Sequence, residues 1–585
     1  MKSIKRLLPF LKPYRKHCIA GPVFKLIEAI LELYLPLIMA RVIDQGVATG
    51  DSGYILRMGG IMLGVVTVGL LCALVCQYVA SIASQGFGTE VRNALFSHIQ
   101  SLSHREMDRL GTPSLINRVT NDVNQLQYAV AMLIRLVVRA PFLCIGGIVM
   151  AMSIDLPLSL VIIIAVPLFV VVITLVMRKT IPLQQKVQTR LDRLILVLRE
   201  NLSGIRVIRA FSRTRREEER FGDAVDEHTR AAIRVGKLSA LLSPATQLIM
   251  NLAILAIVWF GGVRVEVGGM TTGEIIAFIN YVNQILLALM VVANLVITFT
   301  KAYASAGRVA EVLDTESSLV QRSDTVAATE PSVPEIEFRQ VSFSYGGGEQ
   351  LSGISFRIYP GQMVGIIGGT GSGKSTVLHL IEHFYDATQG EVLVEGRDVR
   401  EWDPKELRRR IGLVPQKTEL FTGTIADNLR WGNPQASDEQ LLRAAHLAQA
   451  AEFIERLPDG LASPVERGGA NLSGGQRQRL AIARALARDP QILMLDDASS
   501  ALDYATDAAL RRALRDECQH MTLVVVSQRV SAVESADLIL VLDEGTLAGV
   551  GTHDELLKTC ETYREINRVQ TPQSQGKSNG MKSRG

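Results

Sequence analysis

The run Gly368-Gly369-Thr370-Gly371-Ser372-Gly373-Lys374-Ser375 matches the pattern G-x-x-x-x-G-K-[ST], and the chemistry of that spacing is phosphate binding. Glycines let backbone N–H groups wrap phosphate oxygens, Lys374 can reach the β and γ oxygens, and the Ser375 hydroxyl can ligate Mg²⁺, with Thr376 following. A second set of groups lies about a hundred residues on, in LSGGQRQRLAIARALARDPQILMLDDASSALD, Leu472 to Asp503. Ser473-Gly474-Gly475-Gln476 reads as a small, glycine-rich turn opening a helix, whose free N–H groups and positive dipole end suit a phosphate. Asp496 and Asp497 follow the apolar run Ile492-Leu493-Met494-Leu495, and Asp496 supplies a carboxylate on the metal side of a phosphoryl-transfer site.

These groups need elements to hold them. Met363-Val364-Gly365-Ile366-Ile367 is a short apolar run read as a buried strand, and a helix is expected from Thr376 to Phe384. Strand, loop and helix in that order are the context the phosphate loop requires. Ile492–Leu495 is a second buried strand, delivering its acids at the C-terminal edge, where parallel sheets place ligands. ATP with Mg²⁺ is the expected cofactor pair.

Phosphate loop and LSGGQ run together resemble an ABC-type ATPase domain, with Asp496 in the Walker B place, and the resemblance extends over nearly the whole chain. It implies two such domains closing head to tail, each signature (Ser473, Gly474, Gly475, Gln476) capping nucleotide on the other chain's phosphate loop. It also implies that Tyr345 stacks on adenine, that Gln416 ends a strand as the Q-loop and reaches Mg²⁺ or water, and that Ser500–Asp503 is the D-loop crossing the dimer interface. Val465-Glu466-Arg467-Gly468-Gly469 departs from the usual exporter order by one place.

The chain has 585 residues, 48 % of them hydrophobic, a formal net charge of +4 and six cysteines without zinc or redox spacing. Six apolar stretches of bilayer length are read, at about 18–40, 56–81, 132–152, 158–176, 245–263 and 275–298. The links 84–131 and 178–242 are long and charged, so the positive-inside bias places them, the basic N-terminus and the ATPase domain in the cytoplasm of a cell-membrane protein. Both links resemble the intracellular loops of ABC exporters, with their short coupling helices. Spans of this number exclude a soluble, nucleic-acid-associated ABC protein.

The expected fold is therefore a membrane all-α domain of six helices with long cytoplasmic helical extensions (1–315). A linker (316–334), an α/β P-loop ABC ATPase domain (335–569) and a disordered tail (570–585) follow it. Charges inside membrane spans face an interior or water. Lys25, Glu28 and Glu32 share one helical face and Arg135 and Arg139 another, so the acids are expected to pair with the arginines, either as a lock or lining a polar cavity. Asn251, Asn280, Asn283 and Gln284 are further cavity candidates.

Two positions break the family pattern. Asp497 stands where ABC ATPases place the Glu that acts as general base, and one methylene fewer withdraws the carboxylate by roughly a bond length. Gln528 stands where the switch histidine should be; an amide can hydrogen-bond a γ-phosphate but cannot become an imidazolium. The pair is similar to one subunit of heterodimeric ABC exporters. It implies a partner half-transporter, a different chain that carries the Glu and the His. The implied function is ATP-driven export of an unidentified small or amphipathic substrate. A slow homodimer, an importer of exporter architecture and an ATP-gated channel or sensor are the alternatives.

Overall fold

The structure, a computed structural model, describes residues 2–319 and 333–570. Most of the expected linker and nearly all of the expected tail lie outside the described residues. The chain forms two compact units: Met1–Gln100 with Thr112–Thr315, and Ser101–Gly111 with Glu316–Gly585.

The first unit is helical. α1 (Arg15–Arg41) and α2 (Ser52–Ser101) come first; the chain then passes through α3 (His104–Leu110), which clusters with the second unit. It returns as α4 (Val123–Leu136), α5 (Arg139–Ile154), α6 (Leu156–Ser203), α7 (Thr214–Ala240), α8 (Leu242–Glu266) and α9 (Thr272–Leu313). Among the described residues, five helical stretches are long and apolar enough to cross a membrane: Ser52–Ser101, Thr112–Ile154, Leu156–Ser203, Thr214–Glu266 and Thr272–Leu313. The remaining expected span, the first at about 18–40, falls in α1, which forms as a helix of 27 residues but is not among the five. Lys25, Glu28 and Glu32 sit so centrally that every 18-residue stretch of α1 contains all three. At 50 and 48 residues, α2 and α6 run to about 75 Å, well beyond a hydrocarbon core of about 30 Å. α9 is the packing centre, burying Ala277, Phe278, Tyr281 and Ile285. The Tyr281 hydroxyl donates to the Leu33 carbonyl of α1 at 2.7 Å, which satisfies a polar group where lipid offers no partner. Outward faces keep large apolar side chains such as Ile145, Ile164 and Trp259 exposed, as a lipid-facing surface requires.

The second unit holds two large sheets and a two-residue antiparallel pairing of Gly423–Thr424 with Pro464–Val465. Antiparallel strands β1 (Ile336–Ser344), β2 (Glu349–Ile358), β4 (Gln389–Val394) and β5 (Arg397–Asp398) pair in the order β2-β1-β4-β5. The sequence reads as two alternating strands, Ile336-Glu337-Phe338 and Val341-Ser342-Phe343-Ser344-Tyr345, but the structure has one, irregular between Phe338 and Val341, with Gln340 at φ +48°. The main sheet comprises β3 (Met363–Gly368), β6 (Ile411–Val414), β7 (Ile492–Asp496), β8 (Thr522–Ser527), β9 (Leu538–Asp543) and β10 (Thr546–Gly551), ordered β10-β9-β3-β8-β7-β6. All its pairs are parallel except β9 with β10. Alternate residues feed two cores: Leu523 and Val525 enter one, Val524 and Val526 the other, as a parallel sheet covered on both faces demands. Register sets Val526 beside Asp496 and Ser527 beside Ile367. The ends of β3, β7 and β8 are therefore level, and whatever follows them converges.

The first charged link also differs from expectation. Gly111-Thr112-Pro113-Ser114 reads as the break in its long helix, but that helix ends at Ser101, and Gly111 (φ +73°) terminates the short helix α3. Within the second unit the His104 ring lies 4.3 Å from that of Phe384, and the Tyr385 hydroxyl donates to Asp108 at 2.7 Å.

Candidate nucleotide site and membrane charge cluster

β3 hands the chain to the phosphate loop, and α10 (Lys374–Ile381) follows it, two residues earlier at its start than the periodicity suggests. Gly373 has φ +95°, and a Cβ there would come within 2.5 Å of Leu351 Cδ2 and 2.9 Å of the Gln350 carbonyl; only glycine fits that turn. Lys374 is buried, and its ammonium donates to the carbonyls of Gly368 (3.0 Å) and Gly369 (2.6 Å). Burial lowers its pKa, and the nearby Asp496 and Asp497 pull it back up. Ser375 Oγ donates to Asp496 Oδ1 at 3.0 Å. Asp496 is itself buried, and that burial raises its carboxyl above the usual range against the Ser375 hydrogen bond. Hydroxyl and carboxylate oxygens in contact are the donor set a hard divalent cation takes, so these residues fit Mg²⁺.

Asp497 has φ +48° and donates its N–H to the Val526 carbonyl at 2.9 Å; a short polar side chain tolerates this left-handed position better than most. Thr370, Lys374, Ser375, Asp496, Asp497, Gln416 and Gln528 line one cavity of about 190 Å³, together with Gly371, Gly373 and Thr376. Gln350 lines it too. It is a residue the sequence reading missed, since a glutamine on a strand of alternating pattern carries no signal.

Of the expected contributors, Gly368, Gly369 and Ser372 belong to the loop without lining the cavity, and Tyr345 and the signature do not line it either. Tyr345 is half-exposed, with its ring edge-on to Phe343 (4.6 Å) and Tyr385 (5.0 Å) and its hydroxyl 3.4 Å from Thr376 Oγ1 and 3.3 Å from His379 Nδ1. The signature opens α11 (Gly474–Leu486), where Ser473 and Gln476 form a reciprocal capping box. Ser473 and Gly474 are exposed, and no signature residue lines the cavity. One chain thus presents a phosphate loop and a separate, uncovered signature. Asp503, closing the expected D-loop, caps α12 (Tyr504–Glu517).

In the membrane half, Arg139 donates to Glu32 at 2.7 Å and stands 4.0 Å from Glu28, which Lys25 holds at 2.7 Å. Arg135 departs from the expected pairing: its Nε is buried without a hydrogen-bond partner, and among the described residues no carboxylate pairs with it. Three cations therefore face two acids. A separate cavity of about 280 Å³ is lined by Phe169, Thr246, Gln247, Met250 and Asn283. Of the other amide candidates, Asn280 donates to its own helix at Ile276 and Gln284 reaches the Glu32 carbonyl at 3.5 Å.

Helices of bilayer length joined to a phosphate-loop parallel sheet define an ATP-binding membrane protein. Residues 18–290 match the family described as ABC transporter transmembrane region, and residues 351–500 match that described as ABC transporter. An uncharacterised ABC transporter ATP-binding protein of Mycobacterium tuberculosis is 40 % identical over 566 residues, 96 % of this chain and 97 % of that protein. An ATP-dependent lipid A-core flippase of Vibrio vulnificus is 30 % identical over 572 residues, 97 % of this chain and 98 % of that protein. A bacterial Atm1-family ABC exporter with ATP bound superposes with a TM-score of 0.80 at 26 % identity, covering 96 % of this chain and 99 % of that one. The chain belongs to the ABC transporter family, as an exporter-type half-transporter with fused membrane and ATPase domains.

Proposed function

We propose that this transporter is the weak-site half of a heterodimeric exporter, moving a small or amphipathic substrate across the cytoplasmic membrane. One observation carries the reading: Asp497 and Gln528 both line the nucleotide cavity beside intact Lys374, Ser375 and Asp496. ATP would bind there with Mg²⁺ held by Ser375, Asp496 and Gln416, the ion neutralising phosphate charge, while Tyr345 meets the base. The exposed Ser473 and Gly474, with Gly475 and Gln476 behind them, would complete a second site on a different chain, whose Glu and His perform most of the hydrolysis. α1 serves as the first of six spans, its charges tolerated because they pair, with the N-terminus and the ATPase domain cytoplasmic. Glu28, Glu32, Arg135 and Arg139 are the proposed substrate contacts, and the spare cation at Arg135 suits a substrate with an acidic group.

The test is ATPase activity of the chain purified alone and co-expressed with its partner half-transporter. A nearly inactive lone chain and a fast pair, silenced by Ser473→Ala, are expected. Asp497→Glu combined with Gln528→His should raise the lone chain's rate by roughly tenfold or more, since both groups then reach the attacking water and γ-phosphate. Brisk hydrolysis by the unaltered lone chain would make Asp497 a working base in a homodimer and end the division of labour.

A further inference from the structure

The loop that presents Gln528 to the nucleotide cavity is fixed from outside the cavity. It leaves β8 at Ser527 and enters a short helix at Val530. Its inner hydrogen bond runs from the Arg529 N–H to Ser527 Oγ at 3.0 Å. The Arg529 carbonyl accepts from the Ala532 N–H at 3.1 Å, and two further polar groups of the backbone are claimed by one distant side chain. Gln570 Nε2 donates to the Gln528 carbonyl at 2.7 Å, and Gln570 Oε1 accepts from the Val530 N–H at 2.8 Å.

Gln570 is the last residue of α13 (Glu561–Gln570). That helix is anchored well upstream, where Tyr563 is fully buried and shares a 2.7 Å hydrogen bond with His553 Nδ1. An arm rooted in the core thus ends in a carboxamide bracketing the residue that faces the nucleotide. Only an amide side chain offers a neutral donor and acceptor side by side. Aspartate or glutamate would keep the acceptor and turn a carboxylate oxygen on the Gln528 carbonyl. Asparagine is one methylene short of both atoms. With its carbonyl held toward α13, Gln528 keeps its own side chain directed to the cavity it lines with Lys374 and Asp497.

We propose that Gln570 is a positioning residue of the ATP site: its carboxamide sets the backbone on both sides of Gln528 and so sets where Gln528 meets the γ-phosphate. This rests on the reading of Gln528 as the γ-phosphate contact. Group spacing at the terminal phosphate discriminates ATP from ADP, which has no γ-phosphate for Gln528 to meet. Gln570 therefore acts on nucleotide selectivity rather than on nucleotide binding in general.

The experiment measures Mg-ATP and Mg-ADP affinity of the full-length chain in lipid nanodiscs, for wild type, Gln570→Ala, Gln570→Glu, Gln528→Ala and the Gln528→Ala/Gln570→Ala double variant. Gln570→Ala should weaken ATP about three- to tenfold, the span of one or two hydrogen bonds, and leave ADP unchanged. Gln570→Glu should lose at least as much, although it matches the size of glutamine. In the Gln528→Ala background Gln570→Ala should add nothing, because the two act through one contact. Equal losses for ATP and ADP, a wild-type Gln570→Glu, or additive effects in the double variant would reduce Gln570 to a helix-end contact and overturn the proposal. A selective effect of Gln528→Ala without one from Gln570→Ala overturns the proposal alone. A silent Gln528→Ala removes the γ-phosphate reading and the proposal with it.

Discussion

Buried charge is held in two ways in this molecule. In the nucleotide site the Lys374 ammonium rests on backbone carbonyls of its own loop, while the charge cluster of the membrane half ties α1 to α5 through side chains, Arg139 to Glu32. Carbonyls are neutral, so an arriving phosphate can draw Lys374 away without stranding an opposite charge. Removing either partner of the Arg139–Glu32 pair leaves the other ion without its compensating charge inside the membrane half. The first arrangement is poised to exchange ligands. The second resists exchange, except at Arg135, with which no carboxylate pairs among the described residues.

That contrast sets the order of expected effects. Arg139→Glu brings a third acid to Glu28 and Glu32 and, at a half-buried pair, should lower stability by about 1–3 kcal/mol, the range for hydrogen bonds to charged groups. Thermal unfolding in detergent and the yield of folded protein measure it. Combining it with Glu32→Arg should restore most of the loss; a double variant as unstable as the single one would show that the pair does not hold these helices together. Lys374→Ala should leave unfolding nearly unchanged and weaken ATP by roughly 10- to 150-fold, the value of one charge-assisted contact of about 1.5–3 kcal/mol. Nucleotide titration of the full chain reads it. A fold as damaged as that of Arg139→Glu would erase the distinction between the two sites.

The difference also explains what could be read in advance. The phosphate loop is legible because its chemistry is local: eight consecutive residues fix one turn, and Gly373 at φ +95° admits no other residue type. The level ends of β3, β7 and β8 follow from parallel pairing of three apolar runs. Contacts across long separations were legible only as charge. Arg139 and Glu32 lie 107 residues apart and declared themselves as ions among apolar neighbours, yet nothing in the spacing distinguished the paired Arg139 from the unpaired Arg135. The single bent strand β1 read as two because the irregularity at Gln340 imitates a turn. Gln570 carried no signal at all, since two hydrogen bonds to a backbone 40 and 42 residues away leave no periodicity behind.

Glu382 lies between the two cases. It follows α10 directly and is 4 % exposed, and its Oε2 has no hydrogen-bond partner among the described residues. Arg408 approaches closely but donates to the carbonyls of Glu382 and His383 rather than to the carboxylate. Burial pushes its pKa up to about 8, against the pull of Arg408 and Arg488. A carboxyl whose folded pKa is raised favours the protonated folded state. Its stabilising contribution is complete below the unfolded value of 4.5 and is lost as pH rises toward about 8, at up to about 1.4 kcal/mol per pH unit. The ATPase half should therefore unfold more readily at pH 8 than at pH 6, and Glu382→Gln should remove that part of the slope while changing stability little at pH 5. Unfolding followed by tryptophan fluorescence across this range decides it. Equal slopes for the two proteins would mean that Glu382 is ionised throughout and carried by the arginines after all, which would place it with the ion-paired cluster instead of with Lys374.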